Sequence, residues 1–144
     1  GSAMMRAAAD AAATAGAKRP KVIGVTMLTS LDQSDLTATG VTGTPSEHVI
    51  RLANLAKASG LDGVVCSAHE IEPLRRALGP GFMLIVPGIR PTGASLGDQK
   101  RVMTPREAVK LGADILVIGR PITEAADPAA AARAIRDDLL PAAA

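Results

Sequence analysis

The chain is almost without aromatic side chains: one Phe, no Trp and no Tyr among 144 residues. Single-stranded nucleic-acid modules stack bases on aromatic rings, so this composition weighs against that mode of binding. A single cysteine excludes an internal disulfide and fits a reducing compartment. No apolar run approaches the ~20 residues needed to cross a bilayer, and the opening GSAMMRAAAD has no hydrophobic signal core. An excess of charge of one sign is also missing, since 16 Lys and Arg stand against 14 Asp and Glu with no basic block. A net charge of +2 gives no electrostatic reason for a nucleic-acid or membrane partner. The expectation is a soluble cytoplasmic protein.

What is present is 47% apolar and 21% charged, the balance of a folded globular domain. Met4 to Ala15 is Ala-rich and reads as a helix stopped by Gly16. Lys21 to Leu28 is a β-branched strand, and the polar stretch Leu31 to Gly43 reads as a loop with one helical turn. Thr44-Pro45-Ser46-Glu47, Ser67-Ala68-His69-Glu70 and Thr104-Pro105-Arg106-Glu107 are capping boxes, and each opens a helix. Gly60, Gly79 and Gly112 close those helices, and Asp127-Pro128 caps a last Ala-rich one. Between them lie the short apolar runs Gly63 to Cys66, Phe82 to Val86 and Ile115 to Ile118. Nearly continuous apolar strands alternating with helices specify a parallel sheet covered by helices. The reading is one partial domain over 1–144: a leading helix over 4–16 and four βα units over 21–140, half of a (β/α)8 barrel.

Two strands end in chemistry. Phe82 to Val86 runs into Pro87-Gly88, and Ile115 to Ile118 into Gly119-Arg120; a long loop between them carries Arg90 and Gln99. Glycine lets backbone N–H groups approach an anion, and arginine adds a bidentate cationic fork. In (β/α)8 barrels a phosphate site sits after the seventh and eighth strands. Other polar residues have plainer readings. Asp62 and Asp114 recur at strand starts, the stability face of a barrel. Asp32 and Asp35 suit turns and caps, His69 a capping turn, and Cys66 the core; His48 is expected in solvent. Thr29 either satisfies a strand-end carbonyl or meets a ligand.

LTSLDQSDL, SGLDGVVCSAHE, VPGIRP followed by GDQKRVMTP, and GADILVIGRPIT occur in an order and spacing that closely resemble the second half of the bacterial orotidine 5'-phosphate decarboxylase family. The resemblance runs from about Met4 to Leu140. It implies a (β/α)8 barrel, usually a homodimer, that converts orotidine 5'-phosphate (OMP) to uridine 5'-phosphate (UMP) and carbon dioxide without metal or organic cofactor. By the same resemblance Arg90, Gln99, Gly119 and Arg120 are phosphate and loop contacts. Thr29, helped by Ser30, meets the base end, Pro87-Gly88 shapes the pocket wall, and the loop from Pro91 to Met103 is a closing lid.

One departure outweighs the matches. The family's catalytic Asp-x-Lys-x-x-Asp array belongs to its third strand, upstream of the segments matched here. Asp98-Gln99-Lys100 has the first part of the pattern, yet Met103 stands where the second Asp belongs, and the triplet falls inside the phosphate loop. The expectation is a chain that holds a nucleotide monophosphate but is inactive alone, and that associates with the missing half or with itself through its open sheet edges. The alternatives are a non-catalytic phosphate- or nucleotide-binding half-barrel and a fragment that only oligomerises.

Overall fold

A computed structural model describes residues 1–91 and 103–140. Helix α1 (Ser2–Ala13) leads through a short 3-10 turn into strand β1 (Ile23–Val25), then α2 (Gln33–Ala38) and α3 (Pro45–Ala58). Strand β2 (Gly63–Val65) is followed by α4 (Ile71–Leu78), and β3 (Met83–Val86) by α5 (Pro105–Leu111). Strand β4 (Ile115–Leu116), the short α6 (Arg120–Thr123) and α7 (Pro128–Leu139) complete the order. The strands form one parallel sheet in the order β1-β2-β3-β4, the sequential order of a barrel wall.

The capping boxes form, though the one at Ser67 opens a 3-10 turn (Ala68–Glu70) that leads into α4 rather than α4 itself. Thr44 and Thr104 accept from the backbone N–H of Glu47 and Glu107, whose carboxylates reach back to the capping residue, and Asp32 and Asp35 form a further box at α2. These bonds satisfy donors that a helix start leaves open. They also hold the carboxyls of Glu47 and Glu107 below their ordinary values, chiefly through the Thr44 backbone and the Thr104 hydroxyl.

The strands are shorter than the apolar runs suggest: β1 keeps three residues of Lys21 to Leu28, and β4 two of Ile115 to Ile118. Among the described residues both are edge strands, paired on one side only. Helix α1 begins and ends two residues earlier than read, since Ala and Ser extend a helix toward its start and Thr14, not Gly16, caps its end.

One face of the sheet is packed. Val64, Leu84 and Val86 lie against Val49, Ala53 and Ala56 of α3, Ile71 and Leu74 of α4, and Ala108 of α5 in a single buried cluster. Fully burying a side chain such as Leu74 or Ile71 contributes roughly 1.5–3 kcal/mol. Gly63 permits the tight approach of β2 to β3, because a Cβ there would stand 2.3 Å from the Met83 carbonyl oxygen. The other face carries the registered row Val25, Val65, Ile85 and Ile115. Its two ends are open, with Val25 64% and Ile115 44% exposed.

Candidate functional site

The amino ends of the strands are fastened by ionic groups. Asp62 accepts from Arg19 Nη1 at 2.8 Å, Lys21 Nζ at 3.2 Å and the Val22 N–H at 2.8 Å. The Arg19 hydrogen bond, with those of Val22 and Lys21, holds the Asp62 carboxyl well below the usual carboxylate range. Asp114 accepts from the Leu84 N–H at 2.7 Å and from Arg75. Arg75 also donates to the Phe82 and Gly112 carbonyls, at 2.7 and 2.6 Å. Every partner of both aspartates belongs to the scaffold, as their place at strand starts suggested.

The carboxyl ends gather different groups. Thr29 and Ser30 follow β1, Ser67 and Glu70 follow β2, Pro87, Gly88 and Arg90 follow β3, and Gly119 and Arg120 follow β4. Counting from the registered row Val25, Val65, Ile85 and Ile115, the residues Ser30, Glu70, Arg90 and Arg120 each stand five positions further on. A parallel sheet therefore brings these four to one rim. Thr29 is buried at 8% exposure, and Arg90 at 7%. Arg120, by contrast, is exposed at the start of α6.

Gly88 takes φ +76°, a left-handed backbone that other residues adopt only at a cost. A side chain at Gly119 would meet no atom within 4 Å, so the backbone there is open to approach. The long loop is tied at its base: Ile89 bridges Met103, and the Arg90 N–H donates to the Met103 carbonyl at 3.0 Å. Gln99, Lys100 and most of the expected lid lie outside the described residues. Chemically, two guanidinium groups on neighbouring strand ends beside open glycine backbone suit an anion. Among the described residues no group of three His, Cys, Asp or Glu is placed to hold a metal ion.

His48 departs from expectation. It is half-buried rather than solvated, and its Nδ1 is sealed from solvent without a hydrogen-bond partner. The loop after β1 and helix α2 fold over that side of α3, bounding an open cleft of about 400 Å³ that His48 lines with Thr26, Leu28, Asp35 and Val41. His69 is exposed in its capping turn, and Cys66 is buried, as read. Sequence reasoning took Glu70 only as a capping residue and missed its burial; the box spacing announces its bond to Ser67 but not its depth.

The family model for orotidine 5'-phosphate decarboxylase / HUMPS matches residues 1–135. The chain belongs to this family. It is 57% identical over 139 residues to the orotidine 5'-phosphate decarboxylase of Vibrio vulnificus (strain CMCP6), an alignment that covers 96% of this chain and 60% of that protein. It is 56% identical over 134 residues to the enzyme of the same name from Gluconobacter oxydans (strain 621H), covering 93% of this chain and 57% of that one. Among solved structures, orotidine 5'-phosphate decarboxylase from Lactobacillus acidophilus superposes with a TM-score of 0.82 at 37% identity, over 98% of this chain and 60% of its own. The chain thus spans about 60% of the length of the relatives it matches. The resemblance carried by the four sequence segments holds.

Proposed function

We propose that this chain carries the phosphate-binding part, and part of the base-binding part, of an orotidine 5'-phosphate decarboxylase site, and that the proton-donating lysine array lies outside it. The observation that carries this reading is the shared height of Arg90 and Arg120, each four residues beyond the registered pair Val86 and Leu116. In this reading the two arginines hold the phosphate against the open backbone at Gly119, while Gly88 and Pro87 wall the pocket. Thr29 and Ser30, two strands away, face the pyrimidine, and Gln99 is a further phosphate contact.

Decarboxylation at C6 leaves carbanion character on the ring, which a nearby ammonium must stabilise and then protonate. The lysines among the described residues are poorly placed for this. Lys18 lies in the turn after α1 and Lys110 on α5, while Lys21 bonds Asp62 and Lys57 bonds the Leu78 carbonyl at 2.7 Å. Phosphate binding far from the reacting carbon still matters to rate, because it can close a loop and orient the reacting end. The open edges β1 and β4 and the exposed row ends Val25 and Ile115 support closure by further strands, which would complete the barrel and bring the array.

The test is turnover of OMP by the chain alone and after addition of a polypeptide carrying the remaining strands with an Asp-x-Lys-x-x-Asp array. The expected result is no turnover alone and turnover on mixing. Turnover by the chain alone would refute the division of labour.

A further inference from the structure

Strands β3 and β4 deliver the two arginines of the pocket rim, yet their ladder is short. Ile85 faces Ile115 and Val86 faces Leu116, and β4 is only these two residues long. Sliding one strand by a residue moves it about 3.3 Å and turns its side chains to the opposite face. Arg90 and Arg120 share a height only while that register holds.

Arg75 of α4 fastens the two strands at their amino ends. Its Nη1 donates to the Phe82 carbonyl at 2.7 Å, ahead of β3, and its Nε and Nη2 donate to the Gly112 carbonyl at 2.9 and 2.6 Å, ahead of β4. Nη2 also donates to the carboxylate of Asp114, which itself accepts the Leu84 N–H at 2.7 Å. One planar guanidinium, its side chain only 18% exposed, thus spans both strand starts and the aspartate that clamps them. Gly112 leaves room for it: a Cβ there would stand 3.1 Å from Arg75 Nε, and its φ of +110° is left-handed backbone that glycine favours. Lysine, a compact point charge without the fixed fork, does not reproduce this set of bonds.

We propose that Arg75 is a positioning residue for phosphate binding: by locking the amino ends of β3 and β4 it fixes the height at which Arg90 and Arg120 meet an anion at the carboxyl ends. The lock stands on these hydrogen bonds; its consequence for binding rests on the reading of the two arginines as phosphate contacts.

The test compares Arg75→Lys with Asp62→Asn in the 144-residue chain. Asp62→Asn weakens the clamp between β1 and β2, so it destabilises the chain without touching the seam between β3 and β4. Both readouts are taken where each variant is folded. The Asp114 and Val117 amides bond the Leu84 and Val86 carbonyls at 3.0 and 2.9 Å, while the Cys66 amide bonds Ile85 at 3.0 Å on the other side of β3. In Arg75→Lys, hydrogen exchange is expected to quicken at Asp114 and Val117 more than at Cys66. Titration with inorganic phosphate is expected to show about tenfold weaker binding in Arg75→Lys and unchanged binding in Asp62→Asn. Exchange that quickens equally on both sides of β3 would overturn the lock. Phosphate affinity kept in Arg75→Lys, or lost equally in Asp62→Asn, would overturn the positioning role. If the unsubstituted chain binds no phosphate, the phosphate reading falls and the positioning role with it, while exchange still decides the lock. If Arg75→Lys fails to fold, Asp114→Asn is read in the same way, since it keeps an acceptor for the Leu84 N–H and removes the charge that faces Arg75.

Discussion

The Asp62 carboxylate accepts the Val22 N–H at 2.8 Å while the Asp62 N–H donates to the Val22 carbonyl at 2.9 Å. This two-bond clamp recurs between Asp114 and Leu84, at 2.7 and 3.0 Å. In each case an aspartate at the start of one strand holds the backbone entering the strand before it, so register is set at the amino ends of β2 and β4. The repeated Gly-x-Asp pattern ahead of two strands is the sequence trace of this device.

Removing the first clamp should therefore be costly. Asp62→Ala leaves the Val22 N–H and Arg19 without their partner, and the expected loss is about 1–3 kcal/mol. The carboxyl is held below its unfolded value, so its stabilisation is fully present above about pH 4 and fades as the pH falls toward the folded value. Denaturant midpoints of the unsubstituted chain and Asp62→Asn should thus differ at pH 7, and the gap should begin to narrow below about pH 4 while staying only partly closed at about pH 3. A gap independent of pH would contradict this account.

Gly63→Ala forces a methyl group to within 2.3 Å of the Met83 carbonyl oxygen, so β2 and β3 must part. The expected cost is about 1–3 kcal/mol, read by chemical denaturation. A neutral effect would show that the two strands are not so closely apposed.

The two faces of the sheet should respond differently to truncation. Leu84, fully buried against the helices, should cost roughly 2–5 kcal/mol as Leu84→Ala. Val25 lies on the open row, and Val25→Ala should stay within about 0.5 kcal/mol in this chain. Comparable losses at both sites would mean that the open face is covered in solution.

Thr104→Ala removes the cap of the helix that follows the long loop, at an expected cost of about 1 kcal/mol. Thermal unfolding followed by circular dichroism measures it, and an unchanged Tm would contradict the capping geometry.

Most of the scaffold was legible because it is written in short-range chemistry. Capping boxes at Thr44, Ser67 and Thr104 and the Asp127 cap depend on spacings of three residues, and all of them form. Strand lengths were less legible: hydrophobicity continues past the ladder in Met27, Leu28 and Ile118, while Val117, beyond the end of β4, keeps its N–H bond to the Val86 carbonyl at 2.9 Å. The solvent reading of His48 failed because α2, from the polar stretch just before its helix, folds back over it. Arg90 and Gly119-Arg120 could be named from sequence, whereas the depth of Arg90 and Glu70 depends on the packing of adjacent strand ends and leaves no local signal.

The central claim is that this chain holds a nucleotide by its phosphate at the ends of β3 and β4. Isothermal titration of the unsubstituted chain with UMP and with uridine, repeated on Arg120→Ala, tests it most directly. The account predicts that UMP binds, that uridine binds at least about tenfold more weakly, and that Arg120→Ala loses a similar factor, as expected for removal of a charge-assisted contact. Equal affinity for UMP and uridine, or UMP binding untouched by Arg120→Ala, would contradict it.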